Sequence, residues 1–102
     1  MLNQLFGSTA TAGLESLIKE ATTLLVDVRT PAEFASGNVK GSVNIPLDTI
    51  PAQLAQFKNK KNIVVFCRSG GRSSQAKLFL EQNGFTNVVN GGTWDYVNQF
   101  VN

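Results

Sequence analysis

The residues best equipped for chemistry form one short stretch, Cys67-Arg68-Ser69-Gly70-Gly71-Arg72-Ser73. A thiol followed by two glycines and two arginines has the composition of a nucleophile set in an anion cradle. The thiolate is the reactive form, and a free thiol, with a pKa of about 8.5, is only a few per cent ionised at pH 7. Each unit by which that value falls takes about 1.4 kcal/mol of stabilisation favouring the thiolate. Backbone N–H groups converging at the start of a helix, with the positive end of its dipole, provide stabilisation of that kind. Gly70 and Gly71 are expected to take the positive φ values such a loop needs. Arg68 and Arg72 add fixed positive charge, and Ser69 and Ser73 complete the candidate binding ring around Cys67. The chain has no His. A Cys-His dyad and a Ser-His-Asp triad are therefore excluded, and the cradle itself must activate the sulfur. The plainer alternative is a small core residue at the end of an apolar strand. The Gly-rich, Arg-flanked loop directly behind Cys67 favours the nucleophile.

The surrounding elements must place that loop at the mouth of a sheet. Ile63-Val64-Val65-Phe66 reads as a strand, and a helix is expected near 73–83 with Ala76, Phe79 and Leu80 on one face and Gly84 closing it. Leu24-Leu25-Val26-Asp27-Val28 is an apolar run without alternation, as in a strand buried on both faces. Thr30-Pro31-Ala32-Glu33 is a capping box with Pro at the first helical position, and Gly37 ends the short helix it starts. Upstream, Leu14, Leu17, Ile18 and Ala21 recur at helical spacing over 12–20, with Thr11 as N-cap. Residues 41–46 read as a brief extended segment stopped by Pro46. A helix over 51–57 turns Leu54 and Phe57 inward. Asn87-Val88-Val89 is the last strand, and Gly91-Gly92 precede a final helix near 93–100. Alternation of helix and strand with short crossovers implies an α/β fold around a mostly parallel central sheet. Ligands of such sheets bind beyond the carboxyl ends of the strands, where the Cys67 loop falls.

A length of 102 residues is one domain's worth, expected to fill positions 1–102 with a core over about 10–101. With 42% hydrophobic and 16% charged residues the chain is of ordinary globular composition. The net charge of +2 is slight, and only Lys58, Lys60 and Lys61 cluster. Nucleic acid is therefore not an expected partner. Cys67 is the one cysteine, so neither an internal disulfide nor a thiolate metal site can form, and no metal or cofactor is expected. The apolar runs are too short to span a bilayer, and the N-terminal residues lack a basic region followed by a long apolar one. A cytoplasmic monomer is the simplest expectation.

The loop resembles that of the rhodanese, or sulfurtransferase, family, whose Cys-x-x-Gly-x-Arg-Ser/Thr pattern is met by Cys67, Gly70, Arg72 and Ser73. Two further signatures accompany it. One runs from Asp27-Val28-Arg29-Thr30-Pro31-Ala32-Glu33-Phe34 through Gly37 to Gly41-Ser42-Val43-Asn44-Ile45-Pro46; the other is Val89-Asn90-Gly91-Gly92-Thr93-Trp94. The resemblance covers roughly 10–101 and departs at Gly37-Asn38-Val39, where the family often carries Gly-His-Ile. It implies a rhodanese-like three-layer fold and thiosulfate sulfurtransferase activity. The Cys67 thiolate would take the outer sulfur of a thiosulfate-like anion as a persulfide and pass it to an external acceptor. Cyanide would serve in the test tube, and a small thiol or protein thiol in the cell. The loop residues 68–73 would bind the donor, with Arg68 or Arg72 steering it.

Asp27, Arg29 and Glu33 could be acid–base machinery, but an ion-pair and capping cluster at the strand-to-helix corner is the better reading. Trp94 could border the pocket or belong to the core. A phosphatase or arsenate reductase loop places five residues between Cys and Arg, whereas four separate Cys67 from Arg72. The tighter ring suits a sulfur atom better than a tetrahedral phosphate. A non-turnover persulfide carrier or protein-binding module is the alternative from another class, and a nucleotide-binding P-loop motif is absent.

Overall fold

The computed structural model describes residues 13–101. The expected Thr11 cap lies outside them. The elements follow the order read from the sequence. A helix over 13–19 (α1) leads to β1 (Thr23–Asp27), α2 (Pro31–Ser36), β2 (Val43–Asn44), a 3-10 segment (Leu47–Phe57), β3 (Asn62–Cys67), α3 (Gly71–Gln82), β4 (Val88–Thr93) and α4 (Trp94–Asn98). The sheet order is β2-β1-β3-β4, and all three pairings are parallel.

Two apolar clusters sandwich this sheet. On one face Val26, Val28, Ile63, Val65 and Cys67 pack with Ala76 and Leu80 of α3 and with Ile50 and Phe57 of the 3-10 segment. On the other, Leu25, Val64 and Phe66 meet Leu14 and Ile18 of α1 and Val97 of α4. Successive residues of β1 and β3 thus serve opposite layers, which is why their sequences are continuously apolar. Each fully buried Val, Ile or Phe contributes roughly 1.5–3 kcal/mol of transfer free energy, so the floor under the Cys67 loop is stiff. Among the described residues no helix is long and apolar enough to cross a membrane.

Three details depart from expectation. The helix expected over 51–57 is a 3-10 segment that starts at Leu47; Pro51 inside it and Gln53, at φ −126° and ψ 25°, interrupt the regular turn. Ala21 lies beyond α1 in an exposed turn. The last strand, expected over Asn87-Val88-Val89, runs on to Thr93, so Gly91 and Gly92, which precede the last helix as expected, belong to β4. They form a register shift there, with Val65 opposite Asn90 and Phe66 opposite Gly92. Gly91 is the extra residue, and a Cβ on it would stand 2.8 Å from Val97 Cγ2 and 2.9 Å from Val64 Cγ1. No larger side chain fits between α4 and the sheet there. Gly92 takes φ +82°, a backbone state that favours glycine.

Candidate active site

Cys67 is the last residue of β3, at the carboxyl end of the sheet beside Thr93 of β4. The chain then turns through Arg68, Ser69 and Gly70 into α3. Gly70 is the N-cap at φ +98° and ψ −16°, a left-handed conformation that favours glycine. Gly71 does not share it. Contrary to expectation it is already the first helical residue, and α3 begins two residues earlier than the periodicity suggests. The early start brings helix-terminal N–H groups under the loop.

Those groups converge on the sulfur. The Gly70 N–H donates to Cys67 Sγ at 3.0 Å and the Ser73 N–H at 3.3 Å, while the Ser73 hydroxyl stands 3.5 Å away. Burial pushes the Cys67 thiol pKa up. The Ser73 hydroxyl and the N–H groups of Ser73, Gly70 and Ser69 outweigh that, and the net direction is down. Cys67 itself is 0% exposed, so the sulfur lies beneath the loop. Arg68, Ser69 and Gly71 are exposed on its rim.

The two arginines play different parts. Among the described residues Arg68 has no ion-pair partner. Arg72 is engaged with Glu33 of α2: its Nη1 lies 2.6 Å from Oε1 and its Nη2 3.1 Å from Oε2. The same carboxylate closes the capping box foreseen from Thr30-Pro31-Ala32-Glu33, accepting the Thr30 N–H at 3.0 Å while Thr30 Oγ1 accepts the Glu33 N–H at 3.2 Å. The hydrogen bond to Glu33 is the main influence raising the Arg72 pKa, with the charge of Cys67 a lesser one.

Glu33 gives a titration to look for. The Arg72 hydrogen bond, followed by the Thr30 N–H, lowers its pKa from 4.5 to about 2. Between those values the folded chain keeps Glu33 ionised while the unfolded chain protonates it. The pair's contribution is therefore complete above pH 4.5 and fades as pH falls toward about 2. Carboxyl carbon shifts should titrate near the lower value in the native protein and return toward 4.5 in Arg72→Ala. A native midpoint at the ordinary value would remove Glu33 from the site.

Behind this rim Asp27 and Arg29 form a buried pair. Arg29 Nε reaches the two carboxylate oxygens at 3.0 and 2.9 Å, and Nη2 reaches Oδ2 at 2.7 Å and the Gly37 carbonyl at 2.7 Å. The guanidinium also lies over the Trp94 ring, 4.7 Å from its centroid. Asp27 and Arg29 thus fix the corner between β1 and α2, in line with the structural reading of the cluster. Trp94 is half-buried and packs on the core while covering this pair. Asn38, at the family's usual His position, is exposed and its Nδ2 donates to the Phe34 carbonyl at 2.9 Å.

Two further residues reach the loop from outside the stretch singled out by its composition. Asn90 of β4 and Ser74 of α3 are joined by a 3.0 Å hydrogen bond, and Ser74 Oγ donates to the Gly70 carbonyl at 2.9 Å. Only the coincidence of the β4 bulge with the first turn of α3 brings them together, and nothing in their local sequence marks it.

The sequence model of the Rhodanese-like domain matches residues 10–98. A sulfurtransferase of Allochromatium vinosum is 42% identical over 67 residues, covering 66% of this chain and 63% of its own length. A tRNA uridine(34) hydroxylase of Yersinia enterocolitica is 34% identical over 91 residues, covering 81% of this chain and 26% of its own. The chain therefore spans less than two thirds of the length of these curated relatives. Among solved structures, a rhodanese with anions from E. coli superposes with a TM-score of 0.66 at 34% identity, covering 72% of this chain and 89% of that one. With the signature loop at the carboxyl end of a parallel sheet and a family match over most of its length, the chain belongs to the rhodanese-like domain family.

Proposed function

We propose that the protein is a sulfurtransferase that moves a sulfane sulfur from thiosulfate or a similar anionic donor, through a persulfide on Cys67, to an external acceptor. The observation that carries this reading is the pair of N–H groups, from Gly70 and Ser73, directed at the sulfur of the only cysteine in the chain. The sulfurtransferase relative and the rhodanese solved with anions support it.

The reaction balances without a cofactor. The Cys67 thiolate attacks the outer sulfur of thiosulfate, a new S–S bond forms, and the old S–S bond breaks with its electron pair leaving on sulfite. One negative charge remains on the terminal persulfide sulfur, where the same N–H groups hold it. Cyanide then attacks that sulfur, thiocyanate departs, and the thiolate returns. No second cysteine in this chain can resolve the persulfide, so the acceptor is external. No proton moves in either step, which is consistent with a site built without His.

Arg68 is the loop cation left to receive the donor, because Arg72 is held by Glu33. Because Cys67 is buried, the donor reaches it across the rim that carries the exposed Arg68, Ser69 and Gly71. That burial also favours a second reading, a persulfide carrier that shields its cargo between partners. Initial rates of thiocyanate formation separate the two. The sulfurtransferase reading expects repeated turnover with parallel double-reciprocal lines in thiosulfate and cyanide. Arg68→Ala should raise KM for thiosulfate by roughly ten-fold, the scale of one charge-assisted contact. A single equivalent of thiocyanate with no further turnover would favour the carrier.

A further inference from the structure

We propose that Asn90 and Ser74 are positioning residues for the cradle: they fix the Gly70 turn through its carbonyl and thereby hold the Gly70 N–H on the Cys67 sulfur. This deepens the sulfurtransferase reading and rests on it.

The contacts form one directed chain. Asn90 Oδ1 accepts the Gly92 N–H at 2.8 Å, which leaves Asn90 Nδ2 to donate to Ser74 Oγ at 3.0 Å. Ser74 Oγ, having accepted that hydrogen, spends its own proton on the Gly70 carbonyl at 2.9 Å. The two contacts of the Asn90 amide select one of its orientations, since its oxygen must face the Gly92 N–H and its nitrogen must face the serine. The Gly70 carbonyl also accepts the Ser74 N–H at 3.1 Å, and the Ser73 hydroxyl oxygen lies 3.0 Å from it.

Gly70 has reason to need this clamp. Its φ of +98° is not one that local sequence enforces, because glycine samples both signs freely. Its N–H makes the shortest contact to the sulfur, 3.0 Å. A free rotation at this residue would turn that donor away and leave the anion less well held. The other end of the chain is anchored in β4, where Gly92, at φ +82°, presents its carbonyl 3.5 Å from the Ser73 hydroxyl. One asparagine thus ties the bulge of an edge strand to the first turn of α3, across the loop that holds the nucleophile.

The test reads the thiolate directly and does not depend on sulfur transfer. Iodoacetamide alkylation of Cys67 is followed across pH in the native chain, Ser74→Ala, Asn90→Ala and the conservative Ser74→Thr. Below the native midpoint, Ser74→Ala and Asn90→Ala should each alkylate about two- to ten-fold more slowly, the scale of one lost hydrogen bond acting on the ionisation. The whole profile should shift to higher pH with its plateau kept. Ser74→Thr should restore the native profile. The double alanine variant should match the worse single variant, since both residues act through one chain of contacts. Unchanged midpoints in both alanine variants, with native circular dichroism, would overturn the positioning role. So would a shift in Ser74→Thr as large as in Ser74→Ala. Failure of the native protein to accept sulfur from thiosulfate would count against the function and leave this alkylation result standing on its own.

Discussion

Cys67→Ser should lose thiocyanate production by at least about a thousand-fold while keeping the native circular dichroism spectrum. The expectation follows from the role assigned to the sulfur. Removal of a covalent nucleophile takes away the whole two-step route, and losses of about three to six orders of magnitude accompany such changes. Serine is close in shape to cysteine, and the Gly70 and Ser73 N–H groups that face Sγ at 3.0 and 3.3 Å can face an oxygen instead. The cradle should therefore survive around a group whose pKa is far too high to ionise near neutrality. A variant that retained a tenth of native turnover would place the nucleophile elsewhere, and with no other cysteine in the chain it would end the persulfide route. The same substitution should abolish alkylation by iodoacetamide, since Cys67 is the one thiol in the chain.

The second large effect is on stability. Arg29→Ala should destabilise the fold by about 3–5 kcal/mol, because it strands the Asp27 carboxylate, itself 0% exposed, without its counter-charge. For a domain near this size that lowers Tm by at least roughly 12 °C. It is also a large share of the 5–15 kcal/mol that such domains possess. Arg29→Lys should recover little. A lysine ammonium cannot span two carboxylate oxygens and the Gly37 carbonyl while lying flat on Trp94, as the guanidinium does. Loss within 1 kcal/mol of native stability, measured by denaturant unfolding, would show the pair to be ornamental. The consequence for function runs through α2. The corner held by Asp27 and Arg29 carries Glu33, and Glu33 holds Arg72 at the edge of the cradle.

What could be read in the sequence was local. The capping box and the apolar runs of β1 and β3 each lie within a few consecutive residues and appear where they were expected, and the Cys67 loop follows β3 although α3 starts early, at Gly71. The structural role of Asp27 and Arg29 was also legible, since their partners are two residues apart. The pairing of Arg72 with Glu33 spans 39 positions and was not legible. The composition of the loop offered Arg68 or Arg72 to steer the donor, and gave no sign that Arg72 pairs with Glu33. In the sequence Gly91-Gly92 read only as the residues preceding the last helix. Their actual setting, a bulge pressed between Val64 and Val97, is decided by packing across the sheet. Asn90 stands within the Val89–Trp94 signature, but its contact with Ser74, 16 positions away, was not legible, for the same reason.

The central claim is a sulfur atom carried on Cys67, and intact-protein mass spectrometry after incubation with thiosulfate tests it most directly. The native chain should gain the mass of one sulfur atom, lose it on brief exposure to cyanide, and regain it on return to thiosulfate, whereas Cys67→Ala should gain nothing. A native chain whose mass never changes, or an equal gain in Cys67→Ala, would contradict the account.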